Sequence, residues 1–227
     1  ESETLRNELQ GLVDNVSSLS FDYNAYEDVH SFVEAQIVEK CGDLGKKMHT
    51  GKSRNDQVMT DVRLFLKDEI LDIVSGLEKL LKELYTLAET HKKLVFPGMT
   101  HFQPAQPVLL GHHFLAYFEM FSRDMQRFQF DYDITDVCPL GSGAIAGNNY
   151  DLDRDALATE LGFQRISPNS MDAVADRDFM LGFFSSANIC MLHLSRFCEE
   201  LIFWSSSVVG FITIGDEFTT GSSIMPQ

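Results

Sequence analysis

Between Val58 and Glu89 the apolar residues Val62, Phe65, Leu66, Ile70, Ile73, Val74, Leu77, Leu80, Leu81, Leu84 and Leu87 recur three and four positions apart. That spacing puts them on one stripe of an α-helix of about 30 residues, roughly 45 Å long. Two more long helices are expected. Val108 to about Asp131 is nearly apolar through Phe114, Leu115, Tyr117, Phe118 and Phe121. Met171 to Ser205 carries Phe179, Phe183, Ile189, Leu192, Phe197, Leu201 and Trp204 around most of its circumference. This last segment is predicted to be the longest helix, buried on nearly all sides and central in a bundle or an oligomer. The expected fold class is all-α.

Shorter elements fill the gaps. Leu5, Leu9, Leu12, Val13 and Val16 predict an amphipathic helix in the first twenty residues, and Val29, Phe32, Val33, Ile37 and Val38 a second, ended near Gly42 and Gly45. Glu27 and Asp28 at its start suit the helix dipole. The glycines of 139–147 break the helices, and Asp153 is expected to cap a short helix that Gly162 stops. Starting at Glu1 without an initiator methionine, the chain reads as a piece of something longer.

The net charge of −16 over 227 residues argues against nucleic acid or an anionic membrane as a general partner. Phe179 to Ser195 approaches membrane-span length, but it contains Asn188 and His193 and is flanked by Asp176, Arg177, Asp178 and Arg196, so a buried helix is expected instead. Cys41, Cys138, Cys190 and Cys198 show no C-x-x-C spacing. They are read as reduced core residues of a cytosolic protein. There is no metal-ligand spacing and no G-x-S-x-G elbow.

Positive charge is concentrated locally, in Lys46, Lys47, His49, Lys52 and Arg54. Of the ten residues from Met48 to Gln57 all but Met48 and Gly51 are polar. Arg54 can take a carboxylate bidentately, and Asn55 offers both a donor and an acceptor. The stretch suits recognition of a polar anion, or an N-cap built on Ser53 or Asn55. A second polar stretch, Gly98 to Pro107, is bounded by Pro97 and Pro107, which forbid a helix from running through. It is expected to be a fixed turn presenting Thr100, His101, Gln103 and Gln106. A third, Gly221 to Gln227, pairs Ser222 with Ser223 after a glycine and reads as a loop.

Together the runs His49 to Gln57, Thr100 to Gln103 and Gly221 to Gln227 resemble the three active-site segments of the fumarase/aspartase superfamily. The first is close to the version found in argininosuccinate lyases. Glu27-Asp28-Val29-His30, Pro139 to Ala144, Asn169 to Asp172 and Asp176 to Phe179 also resemble that branch. The resemblance implies a long-helix bundle. Residues 1–50 would be the remainder of an N-terminal helical domain, and 51–227 an incomplete central bundle domain. It further implies a cytoplasmic homotetramer whose active sites each draw on three subunits. The implied reaction splits argininosuccinate reversibly into arginine and fumarate without a cofactor.

In that reaction a proton leaves a carbon beside a carboxylate, and preorganised donors meet the charge that develops. The resemblance implies Ser222 as base and His101 as acid, with the reverse assignment also used for such lyases. Thr100 would bond a carboxylate. Ser53, Arg54 and Asn55 would hold substrate, with His30, Gln103 and Ser223 as further contacts. Lys52 stands where arginine is usual in that branch, and Pro104 replaces a common basic residue. The family's loop continues beyond Gln227 into lysine and asparagine residues, so the piece alone is expected to be inactive. The competing expectations are a sister lyase acting on adenylosuccinate, malate or aspartate, and a non-catalytic relative of the lens-crystallin kind.

Overall fold

The computed structural model describes every residue except Tyr23, Pro226 and Gln227. In chain order it contains α1 (Ser2–Asp14), α2 (Val29–Cys41), α3 (Asp43–Lys46), α4 (Arg54–Thr90), β1 (Val95–Thr100), β2 (Gln103–Leu109), α5 (Leu110–Thr135), β3 (Val137–Cys138), α6 (Arg154–Glu160), β4 (Arg165–Ile166), α7 (Ser170–Ala175) and α8 (Asp178–Ser205). The chain is a long-helix protein with short strands. It divides into two compact units, one of residues 1–61 and 138–175, the other of residues 62–137 and 176–227.

In the first unit α2 begins because Asp28 caps it, its Oδ1 accepting from Ser31 N at 2.7 Å. It ends at Gly42, whose φ of 60° a side chain would resist. Phe32 and Ile37 are its buried residues, and Phe32 meets the rings of Phe21 and Tyr26 edge-on. Asp153 caps α6 through Ala156 N at 2.9 Å, as its sequence predicts. Arg154 then turns back to donate to Leu140 O and Ser167 O, while Ser167 N pairs with Cys138 O at 2.9 Å.

In the second unit the core lies along α4 and between α5 and α8. The buried residues of α4 there include Leu66, Ile70, Leu77, Leu81 and Leu84, the stripe legible in the sequence. On α5, Phe114, Tyr117, Phe121, Asp124, Phe128, Asp131 and Thr135 alternate at spacings of three and four, a narrow seam of the coiled-coil kind. Tyr117 packs on Phe197 at 4.7 Å between centroids and Phe128 on Phe183 at 5.9 Å, so α8 runs antiparallel to α5. Two seam positions are carboxylates. Asp124 is fully enclosed and held by His193 Nδ1 at 2.6 Å and Arg127 Nη1 at 2.9 Å.

Three expectations need correction. The longest helix is α4, not the segment from Met171 to Ser205. That segment is two helices, α7 and α8. Asp176 spends Oδ1 on Asp178 N at 2.8 Å, starting α8, and Oδ2 on Arg63 Nη2 at 2.5 Å. Arg63 also donates to the terminal α5 carbonyls of Ile134 and Thr135 and lies 4.0 Å over the Phe179 ring. A helix running straight through would take Asp176 out of both roles. Nor is α8 buried on nearly all sides, because Leu181, Phe184, Met191, Leu192 and Ile202 are exposed.

The expected turn over 97–107 is instead a two-stranded antiparallel hairpin, pairing Val95 with Leu109 through Thr100 with Gln103. Proline-rich sequence favours extended backbone on either side of a tip only two residues long. All four cysteines are free thiols, and burial pushes Cys190 up to about 11. Among the described residues no helix is long and apolar enough to cross a membrane.

Phe121 is wholly enclosed in the α5 seam. Phe121→Ala should therefore destabilise the second unit by about 3–5 kcal/mol, read as a lowered denaturation midpoint.

Candidate active site

The polar stretch at 48–57 is organised by a carboxylate. Gly51 turns the chain with φ 76°, and Ser53 precedes the first residue of α4. Ser53 Oγ accepts from Asn55 N at 3.3 Å, while Asp56 Oδ1 accepts from Ser53 N at 2.8 Å. This is a reciprocal capping box with aspartate in the third helical position. Asp56 is 0% exposed. Its second oxygen accepts from Gly141 N at 3.0 Å and Gly143 N at 2.7 Å. Both glycines have positive φ, and a Cβ on Gly143 would strike Gly147 O. The break expected at 135–150 is thus a backbone nest for Asp56. Two side chains fasten its rim, Asn55 donating to Ala144 O at 3.0 Å and Asn148 to Gly51 O at 3.1 Å.

Arg54 leaves this frame toward α2. Its Nε is 2.9 Å from Asp28 Oδ2, its Nη1 donates to Gln57 Oε1 at 2.9 Å, and Nη2 lies 3.4 Å from Ser31 Oγ and 3.7 Å from Glu34 Oε2. Glu34 also takes His49 Nδ1 at 2.8 Å. Gln57 Nε2 is 3.1 Å from His30 Nδ1, and His30 Nε2 is 3.4 Å from Asp61 Oδ2. The first unit therefore joins His30, Ser53, Arg54 and Asn55 in one connected network.

The charges are mutually perturbed. The backbone hydrogen bond from Ser31 holds Asp28 below the usual aspartate range against the effect of burial, with the Arg54 charge assisting. Burial raises Asp61 above its ordinary value against the charges of His30, Lys52 and Arg54. Burial also lowers the Lys52 ammonium, opposed by Glu34 and Asp61. A side-chain cluster carrying both signs suits a ligand that is itself both cationic and anionic. Asp28 and Glu34 around Arg54, and the pairing of Gln57 with His30, were not read from the sequence. The N-cap expected on Ser53 or Asn55 falls on Ser53, and the part Asp56 plays in it was not read.

The second unit holds the remaining candidates. His101 and Phe102 form the hairpin tip with φ of 52° and 59°, left-handed backbone that non-glycine residues adopt at a cost. Thr100 and Gln103 are the last pair before it, and all four are exposed. Gly98 sits at a bulge where a Cβ would lie 2.9 Å from Gln106 O. Below the tip is a cavity of about 740 Å³, lined by Met99, His101 and Phe102 of the hairpin and by Arg196, Phe203 and Trp204 of α8. His113, also on its wall, is paired with Glu200 at 2.6 Å. Burial, the largest single influence, raises the Glu200 carboxyl, but the hydrogen bonds from His113 and Tyr117 and the charges of His113 and Arg196 together outweigh it and the net shift is downward.

Ser222 and Ser223 are exposed, and Ser222 Oγ accepts from Met225 N at 2.9 Å and Ile224 N at 3.4 Å. No hydrogen bond joins Ser222 to His101 among the described residues. The last two positions of that stretch, Pro226 and Gln227, lie outside the described residues.

Comparison with known proteins follows the same geography. A family model described as "Lyase" matches residues 10–227. The argininosuccinate lyase of Thermoanaerobacter sp. is 58% identical over 201 residues, covering 88% of this chain and 46% of that protein. The argininosuccinate lyase of Alkaliphilus metalliredigens is 48% identical over 228 residues, covering 100% of this chain and 50% of its own length. The chain thus spans about half the length of these relatives. Among solved structures, EDDS lyase in complex with formate superposes with a TM-score of 0.88 at 30% identity, covering 97% of this chain and 44% of that one. An EDDS lyase variant with bound fumarate gives 0.87 at 29% identity, covering 99% and 44%.

The Asp56 socket and the Asp28 cap each make a stability prediction. A buried N–H left without an acceptor costs about 1–3 kcal/mol, so Asp56→Ala should destabilise the protein by at least about 3 kcal/mol. Hydrogen exchange at Gly141 and Gly143 should quicken with it. Asp28→Ala should cost about 1 kcal/mol. Because the Asp28 carboxyl is held low, its contribution is complete above the ordinary aspartate range and is lost as pH falls through the lowered value. An acid titration comparing Asp28→Ala with the parent should show the difference shrinking only at the acid end.

Proposed function

Because the chain belongs to the lyase family whose model spans its residues 10–227, we propose that it is half of an argininosuccinate lyase, a carbon–nitrogen lyase of arginine biosynthesis. The observation that carries the reading is the 58% identity to a protein of that name across the stretches holding Arg54 and His101. The mixed-charge cluster agrees with it, since argininosuccinate carries a guanidinium and carboxylates on one small molecule. Lys52 and Arg54 suit the anionic end, and Asp28, Glu34 and Asp61 the cationic end.

In the proposed reaction a base removes the proton from the carbon beside a succinyl carboxylate. The carbon–nitrogen bond then breaks, fumarate forms, and an acid returns a proton to the departing guanidinium nitrogen of arginine. Ser222 is assigned as base and His101 as acid. Thr100 bonds a carboxylate, Ser53, Arg54 and Asn55 hold substrate, and His30, Gln103 and Ser223 are further contacts. A serine acts as a base only when its surroundings activate it. In this chain Ser222 Oγ accepts from the N–H groups of its own loop, donors of the kind that favour a deprotonated oxygen. The protein is proposed to work in the cytoplasm as a homotetramer, with each active site assembled from three subunits. The exposed apolar residues Leu181, Phe184, Met191, Leu192 and Ile202 on α8 support that reading.

The test is fumarate release, followed by ultraviolet absorbance, from argininosuccinate with the full-length protein. Adenylosuccinate, aspartate and malate run beside it. Release from argininosuccinate alone is expected, and release from another of the four, or from none, would overturn the assignment. In the same protein His101→Asn should lower kcat by about a hundredfold or more with KM changed only a few-fold. Unchanged turnover would remove His101 from the mechanism.

A further inference from the structure

Gln57 touches two of the candidate substrate contacts through its side chain, and both ends of its amide are used. Arg54 Nη1 lies 2.9 Å from Oε1, and Nε2 lies 3.1 Å from His30 Nδ1. A guanidinium has only donors, so the amide atom facing Arg54 must be the carbonyl oxygen. The NH2 group is thereby turned toward His30. An amide NH2 has nothing to accept with, so His30 Nδ1 must be the acceptor and the ring hydrogen must sit on Nε2. That Nε2–H lies on the side of Asp61, whose Oδ2 is 3.4 Å away. The fixed donor character of one arginine thus decides, through one amide, which nitrogen of a histidine on another helix carries hydrogen.

We infer that Gln57 is a positioning residue which fixes His30 as a neutral Nε2–H donor, so that His30 offers a hydrogen bond on its Asp61 side to a substrate carboxylate. The inference rests on the lyase reading of this polar cluster for its substrate, and on geometry alone for its tautomer. The ring is wedged at the first turn of α2, its side chain 17% exposed. The charged groups acting on it are Asp28 on its own helix border and Asp61 on α4, with Arg54 linked to it through Gln57. Protein carboxylates already engage both donors, Asp28 and Glu34 on Arg54 and Asp61 on His30. Asp61 is half exposed and its contact with His30 is long, so a ligand oxygen can take that donor with little loss. A histidine held this way donates a hydrogen bond and takes no proton through Nδ1. That separates its role from the acid–base work assigned to His101 and Ser222.

The experiment uses full-length protein carrying ring-15N histidine, with His30→Asn identifying the His30 signals. The parent should show His30 in the Nε2–H form. Gln57→Glu keeps an acceptor for Arg54 but offers Nδ1 no donor, so the hydrogen should move to Nδ1. Gln57→Met, which removes both contacts, should show His30 in mixed tautomers. A parent ring with hydrogen on Nδ1, or an unchanged Nε2–H pattern in Gln57→Glu, would overturn the inference. In kinetics Gln57→Glu should raise KM for argininosuccinate about tenfold or more with kcat nearly kept. A loss confined to kcat would defeat the carboxylate-binding role. If the parent releases no fumarate from argininosuccinate, the substrate assignment fails, while the tautomer measurement still decides the role of Gln57.

Discussion

A carboxylate sealed from water survives only where donors surround it, and Asp56 meets that condition with three backbone N–H groups. One of them starts α4; the other two belong to a glycine nest about 85 residues further along the chain. The first unit is built on this clasp. It fixes where Ser53 ends and α4 begins, which decides where Arg54 and Asn55 emerge. It also explains why the nest needs glycines at 141 and 143, where φ is positive at both and the Gly147 carbonyl leaves no room for a side chain at 143.

Periodicity carried the helices. The stripe from Val62 to Leu87 became α4, Asp28 and Asp153 became the caps their position suggested, and Gly42 and Gly162 ended helices as glycine does. Where the sequence misled, a tertiary contact had overridden local pattern. The apolar run from Met171 to Ser205 contains nothing that forbids helix, yet Asp176 is drawn to Arg63, which lies 113 positions earlier. Extended pairing across Pro97 and Pro107 was equally hidden, because proline announces a break in helix without saying whether a turn or a strand follows.

The candidate site was legible in residue type and illegible in partnership. Dense hydroxyl, amide and cation chemistry at 48–57 pointed to a polar anion, and the same chemistry at 100–103 to a reactive loop. The carboxylates that surround Arg54 come from α2, some twenty residues earlier, and ordinary helix-start electrostatics accounted for Asp28 well enough that nothing asked for a second role. Gln57 closed the polar run and the motif read from the sequence, but no role of its own was given to it. Its importance comes from facing a donor-only group on one side and a two-state ring on the other, a relation that no spacing rule contains.

Among the described residues the hairpin that raises His101 is a ribbon with no further strand beside it, and such ribbons invite another chain to add an edge and begin aggregation. Pro97 stands directly opposite Pro107. Neither has an N–H, so the two cannot exchange ladder bonds, and theirs must be a pair whose amides would have pointed outward. The prolines therefore blank out one outward donor on each edge without weakening the pairing inside. A ribbon seated on α8 through Phe96 on Trp204 and Phe102 on Phe203 can then expose its outer edges while offering neighbouring chains little to pair with.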